Sequence, residues 1–100
     1  MPTRAITLHE EASADYDAAF DWYLTRSPDA AVRFDEEVER AISQIARAPQ
    51  RWVQGSDGTR RFLLRGFPHV LIYREVSSEV IQVVAIAHAS RRPGYWKHRA

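Results

Sequence analysis

The tripeptide Ser27-Pro28-Asp29 constrains the fold of this chain more than any other feature. Proline has no amide hydrogen for a helix interior, but its fixed φ suits the first helical position, and a serine just before it can cap. The tripeptide therefore closes one helix and opens another with almost no linker between them. Before it, Ala12, Tyr16, Ala19, Phe20, Tyr23 and Leu24 recur at helical spacing up to Arg26, and Glu10-Glu11 place negative charge at the helix start. After it, Ala31, Phe34, Val38, Ala41, Ile42 and Ile45 form one apolar stripe that ends near Ala48, ahead of Pro49. Two helices joined so closely pack as an antiparallel hairpin.

The remaining segments read as strands. Thr3 to His9 is a short β-branched opening strand. Gln50 to Thr59 is loop, with Gly55, Asp57 and Gly58 as turn residues and Trp52 as its anchor. Three further strands follow: Arg60 to Arg65, His69 to Val76 and Val80 to Ala87. Gly66-Phe67-Pro68 and Ser77-Ser78-Glu79 separate them, and connections this short imply antiparallel neighbours. The last two strands are apolar on both alternations, so they are expected at the sheet centre, with Tyr73 in the core. The order is β-α-α-β-β-β, an α+β fold with the helical hairpin packed on one face of a mainly antiparallel sheet. One hundred residues make one domain, spanning residues 1–100.

Composition narrows the class. The chain is 45% hydrophobic and 27% charged, as globular proteins are, and it has no cysteine for a disulfide or a thiolate metal site. Its apolar runs fall far short of the ~18 residues of a membrane span. The expectation is a soluble cytoplasmic protein. The net charge of +1 hides a polarity: residues 1–50 hold 10 acids against 5 arginines, and residues 51–100 hold 3 acids against 8 arginines and Lys97. Either the second half faces something anionic, or the two halves pair inside the fold.

Chemistry concentrates at the C-terminal end. The apolar strand runs straight into His88-Ala89-Ser90-Arg91-Arg92-Pro93-Gly94-Tyr95-Trp96-Lys97-His98-Arg99. Arginine grips phosphate in a planar fork, histidine moves protons near neutral pH, and aromatic rings stack on bases. Two adjacent guanidiniums are hard to bury in ion pairs, so at least one of Arg91 and Arg92 is expected to contact an anion. His88 is either a proton-transfer group or a buried histidine. Tyr95 and Trp96 either act at a site or cover the sheet edge, with packing favoured for Trp96. Arg60 and Arg61 alternate across a strand, so one turns toward the helices and the other away. Trp22 lies off the first helix's apolar stripe and is a candidate anchor for a partner. His9, His69, His88 and His98 lack ligand-like spacing, so neither a metal nor another cofactor is implied.

A pattern runs through nearly the whole chain: Ala12, Tyr16 and Trp22-Tyr23, Ser27-Pro28-Asp29-Ala30-Ala31 and Phe34, Ile45 and Pro49, Arg60-Arg61, Phe67-Pro68-His69, Ile72-Tyr73, and Ala85-Ile86-Ala87-His88 with Arg91-Arg92-Pro93-Gly94-Tyr95-Trp96 and Arg99. It resembles the RelE/ParE superfamily of bacterial toxins over about residues 5–99. The resemblance implies the same β-α-α-β-β-β fold and a toxin of a type II toxin–antitoxin module, the class associated with plasmid stabilisation and growth arrest. It also implies a cognate antitoxin from the same operon, assembled with the toxin into a hetero-oligomer.

The superfamily holds two activities, with different targets. ParE-like members inhibit DNA gyrase and are not enzymes. RelE-like members are metal-independent endoribonucleases that cleave mRNA on the ribosome. Under the nuclease reading, His88, Arg91 and Tyr95 are the catalytic candidates. Arg60, Arg61, Arg91 and Arg92 are the candidates for holding nucleic acid or another anion under either reading. RelE-like members often carry lysines near the end of the second helix, where this chain has Arg47 and Arg51. Arginine keeps its proton and serves poorly as acid or base. The pattern thus favours gyrase as the target over mRNA. A third reading is a non-toxic relative that keeps only antitoxin binding.

Overall fold

A computed structural model describes residues 3–55 and 57–99; residues 1, 2 and 100, and Ser56 within the Gln50–Thr59 loop, lie outside the description. The elements are β1 (Ala5–Leu8), α1 (Glu10–Arg26), α2 (Pro28–Arg47), a 3-10 turn (Pro49–Arg51), β2 (Arg60–Leu63), β3 (His69–Glu75) and β4 (Val80–His88). The sheet order is β1-β4-β3-β2, with β1 parallel to β4 and the other neighbours antiparallel. The α+β fold and the central place of β3 and β4 are as the sequence implies.

Ser27 makes the hairpin. Its amide donates to Tyr23 O at 2.8 Å, closing α1, while its Oγ accepts from Ala30 N at 3.3 Å, opening α2. One residue thus satisfies orphan groups of two helix ends. α1 starts at Glu10, at the acidic pair that marks the helix start in the sequence, and His9 Nδ1 caps it by accepting from Glu11 N at 3.0 Å. That turn also shortens β1 relative to the expected Thr3–His9.

Each face of the sheet carries a core. Toward the helices, Phe34, Val38, Ala41 and Ile45 of α2 pack on Phe62, Leu71, Tyr73, Ile81, Val83 and Ile86. Trp52 anchors the preceding loop on Phe62, with ring centroids 4.8 Å apart. The Tyr73 hydroxyl donates to Pro49 O at 2.6 Å, and burial pushes its pKa up to about 12. On the opposite face, Ile72, Val84, Ala85 and Ala87 are covered by Trp96. Gly94, at φ +80°, supplies the left-handed turn in the tail that leads into this cover.

The β3–β4 register slips once. Ile72 faces Ala85 but Tyr73 faces Val83, which leaves Val84 as the extra residue of a bulge. The slip explains how β4 places Ile81, Val83 and Ile86 on the helix side although their spacing changes from two to three.

Candidate functional site

β1 ends at Leu8, so β4 has no strand neighbour on that side from Val84 onward. α1 and the C-terminal tail come together over this bare edge. The Asp15 carboxylate accepts from Ile86 N at 3.1 Å and from Arg99 Nη1 at 2.7 Å, and Arg99 Nη1 also donates to Val84 O at 3.0 Å. A side chain from each end of the sequence thus satisfies the backbone that β1 leaves unpaired. The Arg99 side chain is only 7% exposed. Its Nε lies 3.0 Å from Glu11 Oε2, an ion-pair distance without hydrogen-bond alignment. Burial works against the Arg99 charge, and Asp15 outweighs it, holding the guanidinium pKa above its ordinary value.

Beside this contact lies a cavity of about 670 Å³, bounded by α1, the start of α2, the β2–β3 turn, the ends of β3 and β4, and the tail. That is the size of a typical ligand or anchor-residue pocket. Its interior is apolar: Ala19, Tyr23, Phe67, Pro68 and Ile86 line it. Phe67 is fixed edge-on against Tyr23 and Phe34, at 5.1 and 5.3 Å between centroids. The turn that carries Phe67 is tied to α2, because Arg65 N donates to Glu37 Oε2 at 2.5 Å while Arg40 holds both oxygens of that carboxylate. Arg33 and Arg91 place guanidinium cations at the rim.

Four of the residues singled out from sequence meet at this cavity: Trp22, His88, Arg91 and Tyr95. Trp22 is 51% exposed, with the Arg26 guanidinium 3.6 Å above its ring. His88 is exposed, so the buried alternative does not describe it. Its Nδ1 accepts from Ser90 N at 3.0 Å and lies 2.7 Å from Ser90 Oγ. A backbone N–H can only donate, so the neutral imidazole carries its proton on Nε2. The Tyr95 ring has the guanidiniums of Arg91 (4.2 Å) and Arg99 (5.1 Å) against it, and burial together with the Asp15 charge raises its pKa.

The other arginines lie elsewhere. Arg60 faces the helix side and donates to Trp52 O at 2.8 Å and Gln50 O at 3.3 Å. Arg61 is on the opposite face, exposed, 5.4 Å from the centroid of the Trp96 ring it overlies. Arg92 is exposed and does not line the cavity. Among the described residues, no cluster of three or more His, Cys, Asp or Glu side chains is placed to hold a metal ion, and no helix is long and apolar enough to cross a membrane.

Asp15, His69 and Arg99 are the site residues to which the sequence assigns no role, although His69 and Arg99 belong to the family pattern. His69 is the buried histidine, only 6% exposed, and desolvation and the neighbouring His88 lower its pKa to about 4. The opposite charges of the two halves are the only sequence signal of the Asp15–Arg99 pair, and they do not name the partners.

Comparison with known proteins places the chain. No curated protein matches it. A solved structure of the chromosomal ParDE TA system from P. aeruginosa superposes with a TM-score of 0.73 at 22% identity, covering 86% of this chain and 96% of that one, which shows a shared fold. The family model for the ParE toxin of the type II toxin–antitoxin system parDE matches residues 6–93, which include α1, both central strands and the basic Arg91-Arg92 pair. With nearly the whole chain matched, the protein belongs to the ParE family of type II toxin–antitoxin toxins.

Proposed function

We propose that this chain arrests growth by inhibiting DNA gyrase and that a cognate antitoxin neutralises it in the cytoplasm. The match of the ParE toxin model to residues 6–93 carries the reading. The chemistry of the cavity supports it. Cleaving RNA requires a base for the 2′-hydroxyl and an acid for the leaving oxygen. His88 spends its free lone pair on Ser90 N–H, and Tyr95 holds its proton more tightly than a free phenol. Arg47 and Arg51, where lysines would help a nuclease, hold charge without transferring protons. Inhibition of gyrase asks for no such acid–base set, no metal and no cofactor.

Under this reading the exposed guanidiniums of Arg61, Arg91 and Arg92 contact anions, such as DNA phosphates in the gyrase–DNA complex. Arg60 is the least available of the four, because it is committed to the Trp52 loop. The antitoxin supplies a segment that folds on binding. A large apolar side chain of that segment enters the cavity beside Trp22, and its acids meet Arg33 and Arg91, giving a toxin–antitoxin hetero-oligomer.

The test is a supercoiling assay with purified protein, run beside RNA sequencing after induction. The expected result is stalled gyrase with intact mRNA. Cutting of mRNA at defined codon positions with unaffected gyrase would establish the endoribonuclease reading, with His88, Arg91 and Tyr95 as its groups. No growth defect in the absence of antitoxin would leave only antitoxin binding.

A further inference from the structure

Among the described residues, Arg99 is the buried charge that fastens the tail wall of the cavity to α1. Tyr95 and Arg91 form that wall, and both lie in the segment after β4, which is built of turns. Trp96, directly after Tyr95, fixes the segment to the far face of the sheet. Three residues further on, Arg99 fixes it to α1 and the β4 edge: its guanidinium meets Asp15 Oδ2 at 2.7 Å, Asp15 Oδ1 at 3.3 Å and Val84 O at 3.0 Å. Arg99 also supports Tyr95 directly, as the second cation against its ring. Asp15 in turn holds Ile86 N, so one carboxylate ties together α1, the bulged edge of β4 and the tail. Arg99 lies beyond residues 6–93, so no role for it comes from the family match.

We propose that Arg99 is a positioning residue: its ion pair with Asp15 latches the C-terminal segment against α1 and thereby sets Tyr95 and Arg91 as the cavity wall that the antitoxin meets. The latch follows from the geometry of the free chain, and its effect on binding rests on the reading of the cavity as the antitoxin site. Removing Arg99 leaves a carboxylate 15% exposed with the Ile86 amide as its backbone donor, and the tail loses the Arg99 pairs with both Asp15 and Glu11, keeping the exposed His98–Glu11 contact. Lysine at the same position keeps the charge but cannot span both carboxylate oxygens and the Val84 carbonyl.

The experiment combines hydrogen exchange on the free full-length chain with affinity for the antitoxin encoded beside it. It uses Arg99→Gln, Arg99→Lys and, as the cavity control, Trp22→Ala. In Arg99→Gln, amides of residues 94–99 and of Ile86 are expected to exchange at least tenfold faster, with those of α2 and β3 unchanged. Antitoxin affinity is expected to fall at least tenfold, and Arg99→Lys is expected to recover part of both. Wild-type protection of the tail in Arg99→Gln would overturn the latch whatever the antitoxin does. A tail that opens while affinity stays within twofold, with Trp22→Ala weakening it, would overturn the positioning role and leave the cavity reading standing. If Trp22→Ala also leaves affinity unchanged, the cavity reading falls and the positioning role with it. Should Arg99→Gln not fold, the same outcomes are read on Arg99→Lys.

Discussion

His69 and His88 stand directly opposite each other on the two central strands, with rings 5.0 Å apart and nearly perpendicular, yet one is buried and the other exposed. The difference comes from what lies above each ring. The ring of His69 sits among those of Tyr23 and Phe34, at 6.0 and 5.2 Å, while His88 stands at the cavity rim. Burying an imidazole among aromatics disfavours its charged form, and a second histidine beside it adds to the effect.

That asymmetry predicts acid sensitivity. The folded pKa of His69, about 4, lies below the unfolded 6.5, so the unfolded chain binds the extra proton between those values. The stability contributed by neutral His69 is therefore complete above pH 6.5 and is lost as pH falls toward 4. The loss is about 3 kcal/mol over the whole window. Urea denaturation of the wild type and of His69→Phe at pH 7.5, 6 and 5 checks it. The wild type should weaken over that range by clearly more than the variant, and equal slopes would refute the assignment.

Arg60 and Arg61 are neighbours with opposite duties. Arg60→Ala strands the carbonyl of Trp52 and loosens the loop that Trp52 pins on Phe62, at a cost of about 2 kcal/mol. Arg61→Ala removes an exposed cation over Trp96 and should change stability by no more than about 0.5 kcal/mol. Thermal melts of the two variants separate them. In growth assays without antitoxin, Arg61→Ala should reduce arrest although its fold is intact, and full arrest would remove Arg61 from the anion-contacting set.

The fold was legible because its signals are local. Ser27-Pro28 announces the helix boundary, and the turn residues between the last three strands set their pairing. The site was legible only in part. Trp22, His88, Arg91 and Tyr95 were visible as chemistry out of place, and they do converge. The pairing of Asp15 with Arg99 was not, since their contact spans 84 residues and lies where β1 stops short of Val84. The bulge at Val84 left no mark either, because β4 is apolar on both alternations. His69 escaped for a similar reason: its residue type fits a strand start, and only the packing of Tyr23 and Phe34 over it makes it unusual.

Tyr73 links the sheet centre to the end of the helical hairpin. Its hydroxyl is fully buried and its one acceptor is Pro49 O. Tyr73→Phe leaves that carbonyl without a donor and should cost about 1–2 kcal/mol. In alkali the sign reverses from that of His69. The folded pKa of about 12 exceeds the unfolded 10.0, so the contribution is whole below pH 10 and is lost as pH rises toward 12. Equilibrium unfolding at pH 8 and pH 10.5 should show the wild type losing its advantage over Tyr73→Phe at the higher pH. A constant difference would mean that the phenol ionises freely in the folded chain.

Glu37 joins the cavity to the stability of α2. It is a carboxylate 9% exposed, with Arg40 on both oxygens and the Arg65 amide on one. The Arg40 hydrogen bonds lower its pKa, burial opposes them, and the Arg65 amide adds to the lowering. Because the folded value lies below the unfolded one, Glu37 stabilises the fold above about pH 4.5 and loses that contribution as pH falls through its folded value. Glu37→Gln keeps the shape but gives up the charge and one acceptor, which should cost about 2 kcal/mol at pH 7 and much less at pH 3. The effect should also be felt at the cavity, because the Arg65 amide is what ties the Gly66-Phe67-Pro68 turn to α2. Hydrogen exchange at residues 65–67 should quicken in Glu37→Gln ahead of any change in β4. If those amides keep wild-type protection while stability drops, Glu37 acts through Arg40 alone and the turn is held by Phe67 packing.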